Sequence, residues 1–412
     1  MEDTKILNVS KDVQWIGVLD HDLETFDIVM ETKYGTTYNS YFINAQKKTI
    51  IETCKENFWE TYLHKIKQVC KPEEIEYIIV NHTEPDHSGN IANLLNIAPK
   101  AKVVGSGNAI RYLRDLIGYE FPHIVVKDGQ TLSLGDKTLS FIGAPNLHWP
   151  DSMFTYLVED RLLFTCDAFG AHFCHPDMFD DKVGNYDEAF KYYFNVILKP
   201  YSKFLLKAIE KIALLKIDAI CTGHGPILRS YWKRIVQMSF DYSTQYLKKP
   251  ERRIIFIAYV SAYDKTGKVA FKIAEGIKKT ADVDVDLANI ELMTLGDIDD
   301  KISKSSAYII GSPTINQNTL LPIYKLFALI NPVRDRGKLA AVFGSYGWSG
   351  EATSIIEATL KSLKLKLFED SFTFKFTPHS QILDSAVDFG CRFGEKFMAD
   401  NEPNKNSKST DE

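Results

Sequence analysis

His82-Thr83-Glu84-Pro85-Asp86-His87 follows directly on the apolar run IEYIIV at residues 75–80. Four residues able to hold a metal, His82, Glu84, Asp86 and His87, thus fall at the point where a strand-like segment gives way to a loop. A strand or helix spreads its side chains over fixed faces. A loop leaving a strand end can instead turn several of them toward one centre. Working outward, His148 stands in APNLHWPDSM after the strand-like TLSFIGAP, Asp167 closes the run RLLFTCD, and His224 lies in CTGHGPI after IDAIC. Each candidate comes at the carboxyl end of a short apolar run, where α/β folds gather their site residues.

A clustered motif, then a His, then an acid, then a His is the order in which the metallo-β-lactamase superfold presents its metal ligands, and the chain resembles that superfold. There the cluster reads HxHxDH and holds two metals. Here Glu84 stands where the second histidine would be, which moves the expectation from zinc hydrolysis toward iron. Four imidazoles and three carboxylates without a thiolate suit iron, manganese or zinc. A carboxylate-rich shell suits two irons that change oxidation state, because anionic ligands stabilise the ferric form. The resemblance implies His82, Glu84 and His148 on one iron, Asp86, His87 and His224 on the other, and Asp167 bridging. His172, in DAFGAHFCHP just past Asp167, is a candidate proton donor or steric wall beside the pair.

Composition narrows the function classes. The 412 residues are 45% hydrophobic and 25% charged, with a formal net charge of −5. No basic stripe is present, which argues against nucleic acid. No apolar run reaches the length of a membrane span. The polar start MEDTKILNVSKDV resembles neither a secretory signal nor a transit peptide, so a cytoplasmic protein is expected. The six cysteines form no C-x-x-C pair, which suits reduced thiols and no iron–sulfur or rubredoxin module within these residues. Electrons are therefore expected from a separate protein.

Near residue 250 the pattern changes. After SFDYSTQYLKKPERR come three strand-like runs, each leading into a polar loop, with glycine in the first and third: RRIIFIAYV into SAYDKTGK, SAYIIGSP into TINQNT, and KLAAVFGS into YGWSGEA. Alternating strands and helices predict a doubly wound parallel sheet, with ligands at the strands' carboxyl ends. Ser261, Tyr263, Lys265 and Thr266 suit a phosphate cradle at a helix N-terminus. Pro313, Thr314 and Asn316 suit one side of an isoalloxazine ring, and Ser345, Tyr346, Gly347 and Trp348 the other. The first loop lacks G-x-G-x-x-G, so FMN is expected over a nicotinamide cofactor. The expected division is α/β throughout: 1–249 a metallo-β-lactamase-like αββα sandwich with two irons, 250–400 a flavodoxin-like FMN domain, and 401–412 a disordered tail.

That combination resembles the flavodiiron proteins (A-type flavoproteins) over about residues 4–400, with HTEPDHSGN, HGPI and GSYGWSGEA as its signatures. The resemblance implies an oxidoreductase that reduces dioxygen to water, nitric oxide to nitrous oxide, or both. Its electrons would come from a rubredoxin-like protein or an NAD(P)H-dependent flavin or rubredoxin reductase. It also implies a head-to-tail homodimer, with FMN of one subunit beside the irons of the other, which could double to a homotetramer. One departure is Asp264, where many members carry glycine: it adds a side chain and a negative charge near the expected phosphate. Two other readings stay open, a dinuclear zinc hydrolase fused to a flavodoxin domain and an electron carrier whose first half is a scaffold.

Overall fold

A computed structural model describes residues 4–26, 30–248, 252–368 and 370–401. Of the expected tail, Asn401 ends the helix Ser380–Asn401, and residues 402–412 lie outside the described residues. The chain divides into two compact units, residues 1–248 and 249–412.

The first unit is built on two sheets. One has seven strands in the order Leu7–Asn8, Val13–Trp15, Tyr41–Ile43, Lys48–Ile51, Ile75–Val80, Lys102–Gly105, His123–Val125. The other has five, Thr131–Ser133, Thr138–Gly143, Met153–Leu157, Leu162–Cys166 and Ala219–Thr222. Alternation along each strand decides what faces what. Tyr41, Ile43, Ile51, Ile79 and Val104 meet Leu139, Phe141, Leu157 and Phe164 in a core between the sheets. Their strand neighbours Phe42, Ile50, Ile78 and Val103 point the other way, onto Tyr62, Ile66, Leu94 and Leu113 of the covering helices. Leu163 and Ile220 of the second sheet do the same with Phe190, Leu205 and Ile212. A strand buried on both faces reads as an unbroken apolar run, which is why IEYIIV and RLLFTC carry no polar alternation. The result is a layered αββα sandwich.

Parallel pairing places several strand exits side by side. Lys48–Ile51 runs parallel to Ile75–Val80, and Leu162–Cys166 parallel to Ala219–Thr222. Their loops therefore leave from the carboxyl ends together, carrying Glu52, the His82 cluster, Asp167 and His224.

In the second unit the strands Asp284–Asn289, Ile254–Tyr259, Ala307–Pro313, Leu339–Tyr346 and Lys366–Leu367 form a parallel sheet, with Phe372–Lys375 also parallel to Leu339–Tyr346. Ile255, Ile257 and Tyr259 pack on the side of helices Lys265–Thr280 and Ser380–Asn401, while Phe256, Ala258 and Val260 pack on the side of Leu295–Lys304, Leu321–Leu329 and Glu351–Ser362. Helices on both faces make it doubly wound. The buried carboxylate of Asp335 holds one corner, accepting from Tyr308, Arg334 and Lys338. No helix among the described residues is long and apolar enough to cross a membrane.

Candidate metal centre and flavin loops

All seven ligand candidates converge in the first unit. His82, Glu84, His148 and Asp167 each offer an atom within 4.8 Å of the others, and so do Asp86, His87 and His224. Asp167 stands between the two sets with one oxygen toward each. Its Oδ2 is 3.5 Å from His82 Nε2 and 3.6 Å from His148 Nε2, while its Oδ1 is 3.1 Å from His87 Nε2 and 3.4 Å from His224 Nε2. Glu84 Oε2 closes the first set at 3.2 Å from His82 Nε2 and 2.9 Å from His148 Nε2. Asp86 Oδ2 closes the second at 3.1 Å from His224 Nε2 and 3.4 Å from His87 Nε2.

The local chain explains the approach. Pro85, at the first position of the short helix Pro85–Ser88, sets the φ needed to turn the backbone immediately after Glu84. Asp86 and His87 then leave the first turn on the side of the sheet exits. At the far end of the site, a Cβ on Gly223 would come within 2.8 Å of His87 Cε1 and 2.9 Å of the Cys166 carbonyl carbon. Only glycine lets the backbone run that close to the imidazole.

Residues that the sequence reading passed over aim the histidines. Asp151, fully buried, takes His82 Nδ1 at 3.2 Å and the Thr83 amide at 2.8 Å on the same oxygen. His224 donates Nδ1–H to the Thr37 carbonyl at 2.6 Å, which leaves Nε2 for the cluster. Asn39 ties that loop down by donating to the carbonyls of Thr222 and Gly225. Tyr193 donates its hydroxyl to Asp167 Oδ1 at 3.1 Å. Asp151 stood three positions after His148 in an already suspect loop, a usable signal. Thr37, Asn39 and Tyr193 had none, since their types are common and only the packing of distant segments brings them here.

Electrostatics describe a buried nest that seeks positive charge. Burial opposes ionisation of Asp167, yet His87, His82 and His148 around it hold its carboxyl well below the usual range. Glu84 behaves likewise, burial being outweighed by His148 and His82. Burial also works against a proton on His87, but Asp86 and Asp167 raise its pKa to about 10. Both oxygens of Asp86 and Oδ2 of Asp167 are buried without a hydrogen bond, despite imidazole nitrogens close by. Buried polar atoms are rarely left so. Donors arranged around shared centres, not around one another, have this geometry, and the O,N chemistry fits a pair of irons.

His172 is brought against the cluster: its Nδ1 lies 2.9 Å from Thr36 Oγ1, and its ring packs 4.8 Å from Tyr193 and 5.3 Å from His224. Burial, with His224 alongside, holds its pKa well below the ordinary value, so the ring is neutral. His21, His64, His123, His175 and His379 belong to none of the three clusters of potential metal ligands among the described residues.

In the second unit the three loops leave adjacent parallel strands. Thr266 Oγ1 and Ser345 Oγ stand 3.0 Å apart, joining the first loop to the third. The Thr314 amide donates to the Ser345 carbonyl at 2.8 Å and its hydroxyl accepts from Ala352, joining the second to the third. Ser261 Oγ accepts from the Gly267 amide at 3.2 Å, and Lys265 opens the helix Lys265–Thr280 with no side-chain cap. Asp264 has φ 58 and ψ 6, left-handed backbone that glycine adopts without strain. Pro313 ends its strand, Asn316 sits at φ 54, and Tyr346 ends the strand before Gly347. Tyr263 and Trp348 are 83% and 87% exposed, an unusual placement for large rings unless something flat covers them.

Comparison with known proteins agrees with this fold. Residues 36–225 match the ODP family beta lactamase model and residues 257–390 the flavodoxin model. The flavo-diiron protein FprA2 of Clostridium acetobutylicum is 40% identical over 95% of this chain and 99% of its own length. The chain belongs to the flavodiiron proteins. Membership makes it an oxidoreductase whose cofactors are FMN and two irons. A flavodiiron relative named nitric oxide reductase, from Moorella thermoacetica, is 33% identical over 93% of this chain and 96% of its own. The solved rubredoxin oxygen:oxidoreductase of Desulfovibrio gigas shares the flavodiiron fold at a TM-score of 0.70 and 27% identity, covering 97% of this chain and 100% of that one.

Proposed function

We propose that this flavodiiron oxidoreductase reduces dioxygen to water and so removes it from the cytoplasm, with electrons delivered through FMN. When bound, the irons supply the seat at which a diatomic gas is reduced, and FMN supplies the electrons. His82, Glu84 and His148 would hold one iron and Asp86, His87 and His224 the other, with Asp167 shared between them. The single observation that carries this assignment is that Asp167 turns Oδ2 to one histidine pair and Oδ1 to the other.

The surrounding side chains have separate tasks. Asp151 and the Thr37 carbonyl fix the tautomers of His82 and His224. Tyr193 holds a proton at Asp167 Oδ1. Neutral His172, with Phe26 4.6 Å from its ring, walls the cluster and keeps bulk water out. Ser261, Tyr263, Lys265 and Thr266 would hold the FMN phosphate. Pro313, Thr314 and Asn316 would flank one side of the ring, and Ser345, Tyr346, Gly347 and Trp348 the other. A head-to-tail homodimer, alone or doubled to a tetramer, would set each FMN beside the partner's irons, and a rubredoxin-like protein or an NAD(P)H-dependent reductase would reduce it.

Likeness in fold to a rubredoxin oxygen:oxidoreductase over its full length supports dioxygen. Identity to a nitric oxide reductase over nearly the same span supports a second reading, reduction of nitric oxide to nitrous oxide. Amperometry on the iron-loaded, FMN-bound protein with one common reductant separates them. Rapid dioxygen loss without peroxide is expected. A nitric oxide rate equal or greater moves the role to nitrosative defence. A protein that takes up zinc in preference to iron and consumes neither gas sinks both.

A further inference from the structure

We propose that Glu52 is a positioning residue for His87, its spare Oε2, not hydrogen-bonded to the ring as the chain stands, closing on the Nδ1–H so that Nε2 is kept for Asp86 and Asp167. The inference rests on reading the cluster as the iron site.

Three of the four clustered histidines need no further partner: His82 has Asp151, His224 has the Thr37 carbonyl, and His148 reaches the surface with a side chain 16% exposed. His87 is different. Its Nε2 is taken up by Asp167 and Asp86, so Nδ1 lies on the opposite side of the ring, fully buried and without a hydrogen-bond partner. Glu52 Oε2 is also buried and also without one. Glu52, His87 and Cys166 present their polar atoms within 4.8 Å of one another. A thiol is a weak acceptor, so the carboxylate is the partner of choice in that trio.

The chain holds Glu52 in place from several directions. Its backbone has φ 59, a conformation that costs a non-glycine residue and persists only where the surroundings impose it. Its amide donates to the Ile79 carbonyl, and its own carbonyl accepts from Ser40 and Tyr62. Its Oε1 accepts from the Asn81 amide at 2.6 Å, the residue just before His82. The next residue, Thr53, grips His87 itself, its amide and hydroxyl both donating to the His87 carbonyl at 2.7 Å. Residue 53 thus holds the His87 backbone, and residue 52 shares a buried trio with its side chain. Glu52, only 2% exposed, keeps one oxygen spare in the same buried trio as a histidine with one nitrogen spare, and buried polar atoms so placed rarely stay unpaired.

Iron-loaded, FMN-bound wild type, Glu52→Gln and Glu52→Leu are compared by iron per chain, by chelator competition, and by redox titration followed by the EPR of the half-reduced pair. Glu52→Gln should retain two irons and shift the diiron midpoint upward, because a weaker acceptor leaves His87 a poorer donor. The FMN midpoint should stay in place. Glu52→Leu should bind one iron about tenfold to a hundredfold more weakly. Wild-type affinity and midpoints in both variants overturn the proposal while leaving the iron site intact. A third equivalent of metal, lost in Glu52→Leu and in Cys166→Ser alike, overturns it by making the trio a metal site of its own. Should Glu52→Leu not fold, an unshifted midpoint in Glu52→Gln overturns it alone. Wild type without two irons overturns the underlying reading together with this one.

Discussion

The hydroxyl of Tyr193 donates to Asp167 Oδ1 at 3.1 Å, the oxygen that also lies against His87 and His224. Burial and the negative charge of Asp167 raise the phenol far above its usual pKa, so it keeps its proton. Tyr193→Phe should therefore keep both irons and lose about fivefold in kcat, the equivalent of roughly 1 kcal/mol for one hydrogen bond. Steady-state gas consumption at fixed iron content measures it. An undiminished kcat would mean that the hydroxyl serves folding alone.

Asp167→Asn tests the bridge more severely. An amide offers one neutral acceptor where the carboxylate offers an anionic oxygen to each half of the cluster. Iron content by elemental analysis should fall from two per chain to one or none, and gas consumption should fall with it. Two irons and full turnover in this variant would refute the bridging role.

Asp264 sits in left-handed backbone at φ 58, where the expected flavin phosphate approaches the helix Lys265–Thr280. Asp264→Gly removes a conformational cost of about 1 kcal/mol and a like charge near that phosphate. Titration of the apo-protein with FMN, read by quenching of flavin fluorescence, should show binding tighter by about threefold to tenfold. Weaker binding would show that the carboxylate helps to order the loop.

Asp335 supplies a pH dependence. Burial opposes its charge, but Arg334 and Lys338 hold its folded-state pKa below the ordinary value. A depressed carboxyl pKa stabilises the fold above the unfolded pKa of about 4, and that contribution fades as pH falls toward the folded value. Asp335→Asn leaves Arg334 and Lys338 without their buried anion, so it should destabilise the second unit by about 3 kcal/mol at pH 7. Urea unfolding followed by circular dichroism should show the gap to wild type closing below about pH 4. An equal deficit at both pH values would assign the effect to packing.

The parts legible in the sequence were those written in local pattern. Runs such as IEYIIV and RLLFTC are strands because both faces are covered. The ligand candidates after them share one rule of placement, the carboxyl end of a buried strand. The same rule would have flagged Glu52, which follows KTII, had the sequence reading applied it there. Thr37, Asn39 and Tyr193 stayed hidden for a different reason. Their roles exist only where segments more than twenty residues apart meet, as in the Thr37 carbonyl under His224, and nothing in their identity announces it.

Gly223 presses bare backbone against the ring of His87, close enough that even a methyl group would collide with it. With the His87 carbonyl also anchored by Thr53, that imidazole is a fixed post, unable to swing without moving the strand exit behind it. Among the carboxylates Glu84, with its side chain 12% exposed against 5% for Asp86 and 2% for Asp167, has the most room to move. The cluster is a frame of three sealed imidazoles, open at His148 and Glu84.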